Sequence, residues 1–511
     1  MEFLVILGGC LFAMYAGNYI AEENYVPIAA VLGIFAAGTF FFRMGTNMYL
    51  MIPVCWGLTG SISILPLPFN VRQLMIILAT VLFLAGYIFK VGKPYRVTYE
   101  IIDLWIWINL GYLFTVFLRN PVGFAAIGGG GRVGGKPYID VMLGVAVYLM
   151  LSRFRMPLSF AKRLPLLMVG VAAFASFAGA LALFFPGVGN VLGRVYSDFA
   201  SIGDFDTGSI SAGETRLGFL LGIGTALSLY VVCRVNPVKL IEPVNIWWLV
   251  LYVCGVIMVL LSGFRNGIIE IFLMTTIAAM IKERWDGFSK IMVFTMVLAL
   301  CGVVASFTTL KLPYTFQRAL CFLPGNWDAE ALSDAKGSSE WRYEIWRLAL
   351  TTDRYIHSKV FGDGFGFSRE EYERCLYAML NGTRAYEGEG SNQEAFLIDG
   401  DFHSGPVTAI RFVGVVGLAL LLPLFYMSIT YAIRLIKRAE RSPYQFCVLF
   451  FALPAIYMPL LFLFVFGDYR TGFVYLLFNI GMMKMLSASI ESHQELSQLT
   501  NTDKIPASLS S

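Results

Sequence analysis

Apolar residues in this chain gather into long runs that short polar or charged connections separate. Most of the runs are long enough to cross about 30 Å of hydrocarbon as an α-helix, which takes roughly 20 residues. The runs are Phe3–Ile20, Tyr25–Phe42, Tyr49–Leu65, Met75–Phe89, Ile102–Leu118, Val141–Leu151, Leu166–Phe185, Leu217–Val232, Trp247–Leu261, Ile268–Met280, Ile291–Phe307, Pro406–Ile433, Phe446–Phe466 and Phe473–Leu486. This pattern predicts about 14 membrane-spanning helices, and merging or re-entry of the shorter runs would change that number by about one or two.

The composition excludes a soluble fold. Of the 511 residues, 57% are hydrophobic and only 14% are charged, whereas charged residues make up about 25% of soluble domains. The expected fold class is therefore all-α, a polytopic integral membrane protein. The formal net charge of +4 gives no reason to expect a nucleic-acid partner. Met1–Ile20 lacks a basic start and a cleavage site, so we expect the first span there and not a signal peptide.

Lysine and arginine set the expected orientation. Placing the N-terminus in the cytoplasm leaves the short outer connections with roughly half as many basic residues as the inner ones, as the positive-inside rule requires. The predicted organisation is a membrane domain over 1–308 with about 11 helices, one large extracytoplasmic loop over 309–404, a second membrane segment over 405–487 with about 3 helices, and a disordered cytoplasmic tail over 488–511. Both termini are then cytoplasmic.

Two of the eight cysteines, Cys321 and Cys375, fall in the large loop. They would form a disulfide if the loop faces an oxidising compartment, and two free thiols are an equally open alternative. The remaining cysteines are scattered, and no metal-ligand spacing occurs among the eight.

Few ionisable residues fall within the apolar runs. Asp103 lies close to the end of one run and Glu270 is the most internal carboxylate, which gives little support to an ion or proton relay. Polar side chains gather instead at the predicted outer ends of the helices, where Arg216, Arg265 and His403 stand out. An arginine at the end of a span usually extends to the headgroups, and a histidine in a loop has either no special role or serves as a general base.

Several motifs resemble the bacterial O-antigen ligase and O-antigen polymerase family. His403-Ser404, nine further residues and then Gly414-Val415-Val416-Gly417 match the histidine motif at the loop-to-helix junction of that family. Three other segments are similar to family features, namely an outer-face arginine, an arginine-bearing short turn, and a loop helix followed by a Gly-rich turn. These segments are Arg216-Leu217-Gly218, Leu261–Gly267, and Trp341–Trp346 with Val360–Gly366.

The resemblance implies a GT-C-like, metal-independent, inverting glycosyltransferase on the outer face of the bacterial cytoplasmic membrane. Its donor would be an undecaprenyl-diphosphate-linked glycan, its acceptor a glycan, lipid A core or protein, and it would need no cofactor. Arg216 and Arg265 would stabilise the diphosphate leaving group, and His403 would act on the acceptor hydroxyl. Polymerase and ligase share these residues, so the resemblance does not choose between them.

Other polar residues are secondary candidates. Glu344 is an alternative base, and Arg342 lies beside it in the loop segment that is similar to the family's helix. Arg411, Arg470 and Arg132 are secondary candidates for phosphate ligands, and an anchor at the membrane interface is the simpler interpretation of each. The stretch Gly130–Lys136 resembles a nucleotide-binding P-loop, but Pro137 replaces the Ser or Thr that holds magnesium.

A transporter or flippase for lipid-linked glycans is the competing class of function. In such a protein the arginines would bind the diphosphate and nothing would be transferred. The scarcity of charge within the runs favours the enzyme.

Overall fold

A computed structural model of the chain describes residues 45–63, 69–88, 99–122, 135–199, 217–307, 312–366 and 397–502, together with Glu373 and Tyr377. Every regular element in these ranges is helical, and the only strand-like pairings among them are two isolated bridges. The all-α prediction is therefore confirmed for the described residues. The predicted spans Phe3–Ile20 and Tyr25–Phe42, the Gly-rich stretch up to Gly134, Arg132, Arg216 and Cys375 lie outside the described residues.

The α-helices are named in chain order. They are α1 (Met51–Cys55), α2 (Val71–Ile88), α3 (Ile101–Arg119), α4 (Lys136–Leu151), α5 (Leu158–Phe184), α6 (Pro186–Gly193), α7 (Leu220–Arg234), α8 (Ile246–Ser262), α9 (Arg265–Ser306), α10 (Tyr314–Leu320), α11 (Ala329–Thr351), α12 (Gly405–Ala439), α13 (Gln445–Phe464) and α14 (Tyr469–Thr502). In the described ranges, eight helices are long and apolar enough to cross a membrane: α2, α3, α5, α8, α9, α12, α13 and α14. These helices indicate a polytopic membrane protein.

Two parts of the predicted helix pattern need correction. The run Tyr49–Leu65 is not one span, because the short helix α1 ends at Cys55 and the chain then turns. Gly57 and Gly60 follow directly in the sequence, and hydropathy alone does not register such helix-breaking residues. The final helix α14 continues to Thr502, so the predicted disordered tail begins as helix. Ser489 Oγ accepts a hydrogen bond from the backbone of Met156, and this packing outweighs the polar composition.

The predicted runs Ile268–Met280 and Ile291–Phe307 both lie in α9, which is interrupted at Arg284 (φ 57°, ψ −138°). A straight helix of 42 residues would be about 63 Å long, twice the thickness of the hydrocarbon core. A Cβ placed on Gly287 would lie 2.5 Å from the Ala279 carbonyl oxygen. Residues eight apart are about 12 Å apart along a straight helix, so the chain folds back at Arg284.

The two helices α13 and α14 form the centre of the bundle. In their most apolar segments, 78% and 94% of the residues are buried within the protein, compared with 11% in α8 and 6% in α9. Helix α14 packs against α4, α12 and α13. The outer helices α8 and α9 therefore present most of their apolar side chains outward, as helices at the lipid boundary do.

A buried ion pair joins α3 to α14. Lys484 Nζ lies 2.5 and 2.6 Å from the two carboxylate oxygens of Asp103, and the Tyr148 hydroxyl donates to the same carboxylate. Asp103 is only 1% exposed and Lys484 only 6%. The pair neutralises two charges inside the bundle, where an unpaired charge would be costly. Asp103 stands out in the sequence, whereas no sequence feature marks Lys484 as its partner.

Helix α12 is broken at Gly414, where the backbone has φ 71° and ψ 178°. A segment of the large loop, residues 359–364, pairs with the broken turn. The backbone nitrogens of Asp363 and Gly364 donate to the carbonyls of Arg411 and Phe412 at 2.9 and 3.0 Å. In the other direction, Val415 and Val416 donate to Lys359 and Val360 at 2.9 and 3.1 Å. The loop is thus attached to a membrane helix through its backbone.

We expect Gly414→Ala to destabilise the protein strongly. The positive φ costs an L-residue about 1–2 kcal/mol, and the new Cβ would lie 2.2 Å from the Val360 carbonyl oxygen, so the loop segment would also be displaced. The measurement is the midpoint of thermal unfolding of the detergent-solubilised protein. Gly170→Ala in α5 is the matched control, because a Cβ there meets no atom within 4 Å. Equal midpoints for the two variants would contradict the role given to the break.

Candidate functional site

The loop helix α11 packs across the start of α12 and places its aromatic residues beside His403. The predicted loop-helix segment Trp341–Trp346 lies within α11. Trp346 Nε1 donates a hydrogen bond to the Phe402 carbonyl at 2.7 Å. Ile345 and Phe402 belong to a small apolar cluster that is separate from the main core. This cluster holds α11 against the residues that precede α12.

His403 is held in a strained backbone conformation between two aromatic rings. Its φ is +51°, which is uncommon for a residue other than glycine and is often found at functional sites. The imidazole centroid lies 5.7 Å from the Trp341 ring and 5.5 Å from the Phe466 ring. With 23% of its side chain exposed, His403 is fixed in place and still reachable.

Asp401 lies beside the imidazole. Its Oδ1 lies 3.2 Å from His403 Nδ1, and the backbone nitrogen of His403 is 3.4 Å from the same oxygen. Burial alone would raise the pKa of Asp401, but the hydrogen bonds and charge of His403, together with the more distant Arg470, lower that pKa below its usual value. An ionised Asp401 beside Nδ1 favours positive charge on the imidazole.

Two arginines meet where the loop faces the membrane helices. Gly263, with φ 71°, ends α8, and Arg265 begins α9 directly afterwards. Arg342 comes from α11, and burial together with the nearby positive charge of Arg265 lowers its pKa. Arg265 Nη2 and Arg342 Nε are buried and have no hydrogen-bond partner among the described residues. Two adjacent guanidinium groups with unsatisfied N–H donors are a candidate anion site.

The other predicted site residues have protein partners. Arg411 is 7% exposed and forms an ion pair with Asp363, the residue that also pairs with the broken turn of α12. Glu344 accepts a 2.6 Å hydrogen bond from Arg347 and lies at the surface. These contacts give Arg411 a role in attaching the loop and leave Glu344 in an ion pair.

Arg470 begins the last membrane helix and borders the site. It lies 3.5 Å from Asp468 Oδ1 and 4.0 Å from Asp399 Oδ2. Its guanidinium carbon is 4.9 Å from the centre of the Phe412 ring. Arg470 therefore approaches the site with much of its charge already compensated.

A cavity of about 600 Å³ opens beside these residues, between α2, α4, α9, α13 and α14. Asn266, Phe466 and Arg470 are among its lining residues. Asn266 directly follows Arg265 in the sequence, and Phe466 stacks on His403. The cavity thus borders the neighbours of Arg265 and of His403.

The structure brings three of the sequence candidates to one place around α11, namely Arg265, Arg342 and His403. Arg216 and Arg132 lie outside the described residues. Asp401 was not singled out from the sequence, although a carboxylate two residues before a histidine is a recognisable signal. The pairing of Asp363 with Arg411 had no such signal, since 48 residues separate the two.

No protein-family model matches the chain, and no curated protein matches it either.

The arginine pair should bind inorganic pyrophosphate. At about ten times the Kd of the anion, binding adds about 1.4 kcal/mol to the free energy of unfolding, or a few degrees in Tm. We expect this shift for the wild type and its loss in Arg342→Ala and Arg265→Ala. The control is Arg347→Ala on the same helix, because that side chain is exposed and already paired with Glu344. Equal pyrophosphate shifts in all four proteins would rule out the anion site.

Proposed function

We propose that this chain is a membrane glycosyltransferase that polymerises or ligates polyprenyl-diphosphate-linked oligosaccharide on the outer face of the bacterial cytoplasmic membrane. The observation that carries the proposal is the pair Arg265 and Arg342, whose buried N–H groups lack partners among the described residues. The oriented histidine beside this pair adds a candidate base. An anion site can stabilise a phosphate leaving group, and a base can deprotonate the attacking hydroxyl. Together they would serve a nucleophilic substitution in which a phosphate ester leaves.

The arginine pair would hold the diphosphate of the donor. As the bond between the anomeric carbon and the phosphate oxygen breaks, negative charge develops on that oxygen. Donors already fixed in position stabilise such charge at no reorganisation cost, and one donor in a partly dry site contributes about 3 kcal/mol. Arg216, assigned from the sequence resemblance, would add a further positive charge.

His403 would take the proton of the acceptor hydroxyl through Nε2. The acceptor oxygen then forms the new glycosidic bond as the polyprenyl diphosphate leaves, and direct displacement inverts the anomeric carbon. Asp401 stabilises the imidazolium that results, in the manner of the carboxylate of a catalytic triad. Glu344 is the weaker choice of base, because its carboxylate is bound to Arg347.

The orientation is part of the proposal. The lysines and arginines at 282–290 and 434–441 support an outer loop over 309–404 and a cytoplasmic C-terminus. On that side of the cytoplasmic membrane the acceptor would be a glycan, lipid A core or protein, and the site residues do not distinguish among these.

The second candidate function is a transporter of lipid-linked glycans. Ionisable side chains within the membrane helices are the observation that supports it. The buried pair of Asp103 and Lys484 and the hydrogen bond between Tyr457 and Glu270 place ionisable groups inside the bundle, as transporters often do. In that case the arginine pair would bind the donor without any transfer.

The enzyme and the transporter differ in their response to His403→Ala. We expect the release of polyprenyl diphosphate from lipid-linked glycan in proteoliposomes to fall by about 10²–10⁴-fold, the usual contribution of a general base. Asp401→Asn should cause a smaller loss, since the base remains and only its orientation and charge stabilisation are lost. His357→Ala is the control, because this loop histidine also lies near an aspartate but is 65% exposed. A normal release rate in His403→Ala would exclude the catalytic role.

A reporter fused within the loop after Asn381 tests the orientation. We expect a periplasmic reporter to be active there and a membrane-impermeant reagent to label the fusion in intact cells. The same reporter placed in the connection between α12 and α13, near Arg441, should be inactive. The reverse pattern would overturn both the orientation and the mechanism.

A further inference from the structure

We propose that the cavity between α2, α4, α9, α13 and α14 is a binding site for the uncharged, hydroxyl-rich part of a glycan, separate from the anion site. This inference rests on the proposed function, because it assigns to the same substrate a second point of contact. Of the residues that carry it, only Arg470 was chosen as a site residue from the sequence.

The charges that line the cavity do not suit a diphosphate. Three carboxylates, from Asp140, Glu270 and Asp468, face two guanidinium groups, from Arg72 and Arg470. The lining therefore has no excess of positive charge, whereas the neighbouring candidate anion site consists of two arginines with unsatisfied N–H donors. A ligand of this cavity carries little net charge and many groups that both donate and accept hydrogen bonds, as sugar hydroxyls do.

Several polar lining groups are already held in place by protein contacts. The Gln73 side-chain amide donates to Asp140 Oδ1, while Gln73 Oε1 accepts from the backbone of Asn70 at 2.8 Å. The Tyr457 hydroxyl lies 3.2 Å from Glu270 Oε1. Fixed amide and carboxylate groups on an otherwise apolar surface are the usual means by which a pocket orients a small ligand.

Asn479 provides an independent sign of a ligand. It lines the cavity, and its side chain is only 1% exposed. Its Oδ1 is buried without a hydrogen-bond partner among the described residues. A buried acceptor left unsatisfied is destabilising, and a hydroxyl donor in the cavity would satisfy it.

The size and position of the cavity fit the same ligand. Its volume of about 600 Å³ falls within the range of about 300–1,000 Å³ for small-molecule sites. Trp56, Phe462 and Phe466 line it with aromatic surface, against which the apolar faces of sugar rings can pack. Phe466 also stacks on His403. A glycan in the cavity would thus reach toward the histidine and the arginine pair.

Two variants alter the cavity without touching the anion site. Gly472→Leu fills part of the space, because a Cβ at Gly472 meets only the Phe462 ring, at the ordinary contact distance of 3.7 Å. Asn479→Leu removes the unsatisfied amide at similar volume. Thr276→Val is the matched control, since it removes another buried oxygen without a partner among the described residues, from a residue that does not line the cavity.

The test compares two probes on the full chain in detergent. One is the oligosaccharide released by mild acid from the polyprenyl-diphosphate fraction of cells that produce the protein. The other is undecaprenyl diphosphate without sugar. We expect both cavity variants to raise the Kd of the oligosaccharide at least tenfold and to leave that of undecaprenyl diphosphate unchanged. Arg265→Ala should do the opposite, and Thr276→Val should bind both probes normally.

The proposal fails if the wild type does not bind the oligosaccharide, or if both cavity variants bind it with the wild-type Kd. In the transfer assay, a higher KM for the lipid-linked glycan alone assigns the cavity to the donor, and a higher KM for the acceptor alone assigns it to the acceptor. Absence of transfer by the wild type in proteoliposomes would remove the proposed function and leave the binding result intact. The experiments therefore test the glycan-binding cavity and the glycosyltransferase function separately.

Discussion

The large loop is attached to the membrane helices by backbone hydrogen bonds to one interrupted helix. A break in a helix frees N–H and C=O groups, and within a membrane protein such groups must find partners in the protein or in water. At Gly414 the loop segment 359–364 supplies them in both directions. The break and the loop segment therefore require each other. The ion pair between Arg411 and Asp363 adds a side-chain contact at the same junction.

The position of the candidate site follows from that attachment. The loop contributes Arg342 through α11, and the residues before α12 contribute His403. Both are held by contacts that begin at the junction and continue through the Trp346 hydrogen bond to Phe402. A side chain on a free loop would lose several degrees of freedom on each substrate binding event. Here the ordering has already taken place during folding, because the loop backbone is paired with a membrane helix.

The sequence predicted the helical membrane character because the length of an apolar run shows directly whether a helix can cross the hydrocarbon core of the bilayer. It failed at Tyr49–Leu65, where glycines end a helix that hydropathy alone would continue. His403 and Arg265 were found because polar side chains gather at the predicted outer ends of the apolar runs and are scarce within them. The pairing of Lys484 with Asp103 was not found, because 381 residues separate the two partners and only the packing of α3 on α14 brings them together. Asn479 likewise has no distinctive neighbours in the sequence. Only its burial in the structure, with Oδ1 lacking a hydrogen-bond partner among the described residues, makes it a candidate ligand-binding residue.

Two kinds of buried charge in this protein have different consequences. Lys484 and Asp103 compensate each other at 2.5 Å, so the cost of removing them from water is largely offset and no further ligand is needed. Arg265 and Arg342 carry like charges and sit close enough for one to lower the pKa of the other. Their repulsion opposes the docking of α11 onto the membrane helices. An anion bound between them would replace that repulsion by attraction to a common partner.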